Sequence, residues 1–383
     1  MVTHAIPDDV LEDIFLRLDS DACLLRAAST CKQWCRVVAD AGFHRRFRSL
    51  HGPPIAGVYY VKLPDDRQQR QLPLKFEPTT PAAIDCCNFS LGFLPDGEAT
   101  PRVWSILDTR GSLLLLERCT EGVEYGHQRD LVICEPLTRR FEVIRTRRLV
   151  PNRSELIAYL LDGEAAGGIG VANFRLAFWA YSSTRYGKLF RHNATVLSCG
   201  RNHGRSMREI SIGAYRLRSM GHTAAAVYWY TGRRKVLALD KTTAEFSCSL
   251  LPDMEEWSLS MSQTELGVTA GRDGKDRVVH SGVGGKMKVF VRLHGSSGDW
   301  ELEKIIELPV VMCALPGYLP LFFSEPAFIE RLRSPMLVLR LSWYKPLWFR
   351  LDVDNGVAES VSGFVDFPHP CELPWPPRLP CVR

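Results

Sequence analysis

A strand–turn–strand motif that recurs at long, even intervals constrains this chain more than any other feature. LVICEPLTRRFEVI (131–144) and KVLALDKTTAEFSC (235–248) share an acid at Glu135 or Asp240, a threonine three positions later at Thr138 or Thr243, and a phenylalanine six later at Phe141 or Phe246. LWFRLDVDNGVAES (347–360) repeats the front half, with Asp352 and then Asn355 at the threonine place. Each copy reads as a strand, a polar turn whose acid and hydroxyl bond nearby backbone amides, and a returning strand. The copies lie 105 and 112 residues apart, about twice the 40–50 residues of a propeller blade. Two blades per interval give about six or seven blades in roughly 320 residues. A β-propeller is therefore the expected architecture, with a pair of β-sandwiches as the alternative.

The rest of the chain beyond about residue 55 agrees with an all-β reading. Runs such as GSLLLLER, AAAVYWYTG, MKVFVRLHG and MLVLRLSWY are short, β-rich and separated by turn residues, and no long amphipathic helix with caps interrupts them. VFVRLHGSSGDWELEK is a further hairpin signal without the acid–threonine spacing. Trp104, Trp179, Trp229, Trp257, Trp300, Trp343 and Trp348 are spread through this region; most are expected to fill the space between sheets, and the alternative for some is a recognition surface on one end of the propeller.

The first fifty residues have a different rhythm. Pro7 with Asp8 and Asp9 suits a helix start, and Val10, Leu11, Ile14, Phe15 and Leu18 recur on one broad face. Leu24, Leu25, Ala27 and Ala28 form a second short apolar face, and a third helix carries Cys31, Trp34, Val37 and Val38. Three short helices make a very small core, one that leans on a partner or on the rest of the chain. The fold class is thus a small all-α unit of three short helices followed by a large all-β domain. Its expected boundaries are residues 1–50, 55–368, and a Pro-rich C-terminal tail, 369–383.

Chemistry-bearing motifs are sparse. GGIGVANF has Asn173 where a dinucleotide loop has its third glycine, and GVGGKMKV has His280 and Met287 at two defining places of a phosphate-binding loop, so both read as hairpin turns. Cys31 and Cys35 sit one helical turn apart, but no second Cys or His pair lies nearby to complete a metal site. Cys86 and Cys87, read as strand residues, point to opposite faces. No catalytic residue, metal or cofactor is expected. The net charge of +5 is mild, and basic residues are interspersed with acids, so neither nucleic acid nor a membrane is an expected partner. The start lacks a secretory pattern and the 12 cysteines are scattered, which points to the cytoplasm, the nucleus or both.

The N-terminal stretch IPDDVLEDIFLRLDSDACLLRAASTCKQWCRVVADAGFHRRF resembles an F-box. Ile6-Pro7 stands at the Leu-Pro opening of that family, Ile14 and Leu18 match its first helix, Cys31, Lys32 and Trp34 match its closing signature, and Phe43 follows. Thr30 replaces the usual valine and Asp19 the frequent proline. FHRRFRSLHGPPIAGVYY, ILDTRGSLLLLER and PWPPRLP look like plant F-box proteins with an associated β-propeller-type domain. This resemblance implies a non-catalytic substrate receptor. The F-box docks on a Skp-type adaptor and, through it, a cullin; the β domain takes a protein substrate, and a recruited ubiquitin-conjugating enzyme supplies the chemistry. The adaptor contacts it implies are Ile6, Pro7, Leu11, Ile14, Leu18, Leu24, Cys31 and Trp34. Two other classes compete: a propeller scaffold with a weak or absent ligase role, and a propeller enzyme or glycan binder with acids or histidines clustered around a central channel.

Overall fold

The computed structural model describes residues 6–18, 21–51, 55–61, 74–79, 85–95, 102–120, 130–145, 155–163, 169–181, 193–200, 204–211, 218–232, 234–254, 264–293, 298–333, 336–341, 347–360 and 369–373. Four helices come first: α1 (Asp8–Leu16), α2 (Asp21–Ala28), α3 (Lys32–Val38) and α4 (Ala41–His51). The fourth corrects the three-helix expectation. Its sequence, AGFHRRFRSLH, is dominated by basic residues, with Phe43 and Phe47, one turn apart, in the apolar core at 0% and 2% exposure and His44 buried beside them. Among the described residues no helix is long and apolar enough to cross a membrane.

Six antiparallel sheets follow, arranged as a six-bladed propeller. Blade two comprises Arg102–Arg110, Leu113–Thr120, Leu131–Glu135 and Arg140–Ile144, paired in sequence order. Blades three to six repeat this four-stranded meander, beginning at Glu155, Arg218, Thr264 and Phe328. Blade one is assembled from both ends of the domain: Leu74–Pro78 pairs with Ile55–Val61, which pairs with His369–Glu372. That last strand lies beside Arg102–Arg110, in the place that a blade's first strand takes elsewhere. Residues 369–372, assigned from sequence to the tail, therefore close the ring. HPCE carries no β-branched residue to announce a strand, yet Cys371 is buried among Ala56, Leu114 and Cys134.

Among the described residues, apolar cores join successive blades from one through six, and single strands feed two of them. In Leu113–Leu116, Leu113 and Leu115 enter the core between blades two and three, while Leu114 and Leu116 enter that between blades one and two. The period-2 alternation of a strand thus sorts apolar residues between two interfaces instead of between core and water. Trp229 and Trp300 are buried, Trp300 meeting Tyr228 of the preceding blade edge-on at 6.0 Å, and Trp104 and Trp348 are half-buried. Trp257, Trp343 and the side chain of Trp179 lie outside the described residues.

The repeated motif proves to be the last hairpin of blades two, four and six. Asp240 Oδ1 accepts the amides of Thr242 and Thr243, both at 2.7 Å, and Asp352 Oδ1 accepts those of Asp354 and Asn355 at 2.9 and 3.2 Å. Glu135, one methylene longer, instead accepts the hydroxyls of Ser112 and Thr138. Both glycine-rich stretches are turns: Gly170 and Asn173 exchange backbone hydrogen bonds, and Gly284 and Gly285 turn with φ of +86° and +75°. At Gly285 a Cβ would also meet Phe323 and Pro309 at 2.8 Å, so only glycine fits.

Candidate functional site

The helical unit presents an apolar stripe to solvent. Leu11 and Phe15 of α1 are buried at 1% and 2%, packed with Leu24, Ala28, Val37, Val38, Phe43 and Phe47. Val10 and Ile14, one turn apart on an adjoining face of α1, remain 44% and 47% exposed, and Ile6, just ahead of the helix, is 44% exposed. The broad face read from sequence is split in two: Leu11 and Phe15 pack in one core with the two phenylalanines of α4, while Val10 and Ile14 meet solvent. The stripe is an unsatisfied apolar surface on a rigid helix, the form that a helix-in-groove interface takes.

Polar contacts fix the start of α1 against α3. Gln33 Nε2 donates to the Ile6 carbonyl at 2.7 Å and to Asp8 Oδ1 at 2.9 Å, and the Arg36 guanidinium donates to Asp8 Oδ2 at 2.7 Å. Hydrogen bonds from Gln33 and then Arg36 hold the Asp8 carboxyl below its ordinary range. At the other end, His51 Nε2 lies 2.7 Å from the Leu16 carbonyl. Ile6 is therefore placed by a side chain on another helix.

The propeller has its own charged cluster, where blades two, three and four meet. Asp108, 2% exposed, accepts the amides of Thr109 and Leu160 at 2.9 Å, and His222 Nε2 stands 3.4 Å from its Oδ1. Lys241 Nζ lies 3.0 Å from His222 Nδ1. Arg110 donates to Asp162 and to the Ala224 carbonyl, and Arg175 to the carbonyls of Asp162 and Thr242. Burial pushes the Lys241 ammonium down to about 8 against the pull of Asp108. Burial would raise the Asp108 carboxyl, but His222, Lys241 and the two amides hold it below its ordinary value. These are groups that an enzyme can use, and here they are engaged with one another across three blades.

Residues 3–49 match the F-box-like family model. No curated protein matches the chain. A solved structure described as that of a Mycobacterium tuberculosis puromycin-hydrolyzing peptidase is similar at 13% identity and a TM-score of 0.39, over 80% of this chain and 44% of that one. The chain spans less than half the length of that structure.

Within the F-box-like unit, the eight residues expected at the adaptor interface fall into three groups. Ile6, Pro7, Ile14 and Cys31 are exposed. Leu18 and Trp34 are half-buried against the helical core, Trp34 meeting Phe15 edge-on with centroids 5.2 Å apart. Leu11 and Leu24 are buried at 1% and 0% and hold the helices together, so neither presents a surface to a partner. Two residues absent from the expectation take part in this surface, Val10 exposed and Gln33 half-buried. Val10 completes the stripe, a position that four-residue spacing from Ile6 and Ile14 could have singled out, whereas Gln33 carries no sequence signal for its role.

Proposed function

We propose that this chain is a substrate receptor of a cullin-based ubiquitin ligase, docking a Skp-type adaptor through its F-box-like unit and a protein client through its propeller. The observation that carries this reading is the exposed stripe Ile6, Val10 and Ile14, set on a helical unit that matches the F-box-like family. Apolar anchors on a preorganised helix supply most of the energy of such an interface, with Pro7 and Cys31 beside them. The protein itself contributes proximity, holding a client lysine near a charged thioester on another subunit. Action in the cytoplasm or nucleus fits the scattered spacing of the 12 cysteines, which makes no regular disulfide framework.

Co-purification with a Skp-type adaptor tests the reading. The full chain is expected to retain adaptor and, through it, cullin, and Ile14→Asp to lose both. A folded wild-type chain that retains no adaptor overturns it in favour of a propeller scaffold.

A further inference from the structure

Cys86 and Cys87 lie on one turn of 3-10 helix, Cys86–Phe89, and not on the strand their sequence suggests. Adjacent strand residues point apart, whereas here the two thiols and the Asp85 carboxylate converge, one donor atom from each lying within 4.8 Å of the others. All three side chains are exposed. Among the described residues no other three such donors come together.

The backbone beneath them is held firmly. Asp85 Oδ1 accepts the Cys87 amide at 2.9 Å. Phe89, 3% exposed, stacks on Phe76 with centroids 4.3 Å apart and planes 6° from parallel, and the Tyr59 hydroxyl donates to the Phe89 carbonyl at 2.6 Å. Blade one thus fixes the turn while the donors face water.

We propose that Asp85, Cys86 and Cys87 form a binding site for a thiophilic divalent cation of the zinc or cadmium class. Two thiolates and a carboxylate are a donor set that such ions accept, and thiolates select against magnesium and calcium. Tetrahedral zinc, with bonds of about 2.3 Å to sulfur and about 2.1 Å to oxygen, places its donors roughly 3.6–3.8 Å apart. The donor atoms already lie within 4.8 Å of one another, about 1 Å from that separation, a difference on the scale of side-chain rotation. The carboxylate keeps lone pairs after accepting the Cys87 amide, so it can serve both. Binding exchanges two thiol protons for the cation, and water fills the fourth position. The site is independent of the F-box-like unit and of its proposed partner.

Cadmium titration of the reduced, metal-free full chain, followed by thiolate-to-metal ultraviolet absorption, tests the proposal. One tight equivalent is expected, absent from Cys86→Ser and Cys87→Ser and weakened on the order of 10–100-fold in Asp85→Asn. Cys248→Ser and Cys313→Ser, which remove exposed thiols elsewhere, are expected to keep it. A readout without substitutions accompanies it: zinc should protect Cys86 and Cys87 of the wild-type chain from alkylation, read peptide by peptide, while Cys248 and Cys313 react as before. Equal cadmium binding by Cys86→Ser and wild type, or zinc protection that spares these two thiols, overturns the assignment.

Discussion

Ile14 and Phe15 are neighbours in α1 and meet different surroundings, Ile14 47% exposed and Phe15 2%, with the Phe15 ring against Trp34. The two positions separate binding from folding. Ile14→Asp places a charge where the side chain already meets water, so stability should change by no more than about 0.5 kcal/mol, while adaptor retention falls at least tenfold. Phe15→Ala empties the core and should cost about 3–5 kcal/mol, losing the adaptor only because the helices melt. Circular dichroism melts of both variants beside adaptor co-purification check this. Loss of fold in Ile14→Asp would refute the division.

Asp108, His222 and Lys241 are coupled across blades two and four, and removing one charge leaves another buried without its partner. Asp108→Asn should destabilise the propeller by about 3–5 kcal/mol at pH 7. It should also lower the Lys241 pKa further below about 8, since Asp108 is the chief charge supporting the ammonium. A lysine with a depressed folded pKa gains stability as pH rises, because the unfolded chain binds more protons between the folded value and 10.5. That gain begins at lower pH in the variant than in the wild type. The deficit of Asp108→Asn should therefore narrow between pH 7 and pH 9, as read from urea unfolding midpoints and slopes.

Arg277, 5% exposed, bridges Asp273 and Glu303 at 2.7 Å each, and neighbouring Arg272 donates to Asp352 of the next blade at 2.6 Å. Hydrogen bonds from Arg277 draw the Asp273 carboxyl down to about 2 and the Glu303 carboxyl below its usual range. Carboxylates with depressed folded pKa values stabilise fully above their unfolded values, and that contribution is lost as pH falls through the folded ones. The window here runs from about pH 4.5 down to about pH 2. Arg277→Gln should cost about 1–3 kcal/mol at pH 7 and flatten the acid dependence, so that it approaches wild type near pH 2. Denaturant unfolding at pH 7, 4 and 2.5 measures both effects.

The propeller was legible because one hairpin recurs every second blade, and its acids Asp240 and Asp352 bond the turn amides their spacing implies. Runs such as Leu113–Leu116 gave the strands but not their faces, since every side chain in them is buried between blades. The helical unit was legible in existence and not in its division. Leu11 turns inward to share a core with Phe43 and Phe47 of α4, a helix whose basic sequence hides these core residues, while Val10 meets solvent. Cys86 and Cys87 depart from the strand reading for a local reason: the Asp85 carboxylate caps the Cys87 amide at the start of a 3-10 helix.

Ring closure rests on four residues far from the rest of their blade. His369 pairs with Tyr59, Pro370 with Val58, Cys371 with Gly57 and Glu372 with Ile55, while the Glu372 amide donates to the Gly111 carbonyl of blade two at 3.2 Å. Without them blade one keeps two strands, a sheet marginal in water, and the Ile55–Val61 edge is uncovered. Truncation before His369 should give a chain that aggregates, or that melts well below the full-length protein, even though most of the propeller sequence remains. Truncation after Leu373, which retains the strand, is the matched comparison and should elute as the intact protein does. Size-exclusion chromatography and thermal melts of the two read the result. Equal behaviour of both truncations would mean that the ring is held by the apolar cores between blades alone.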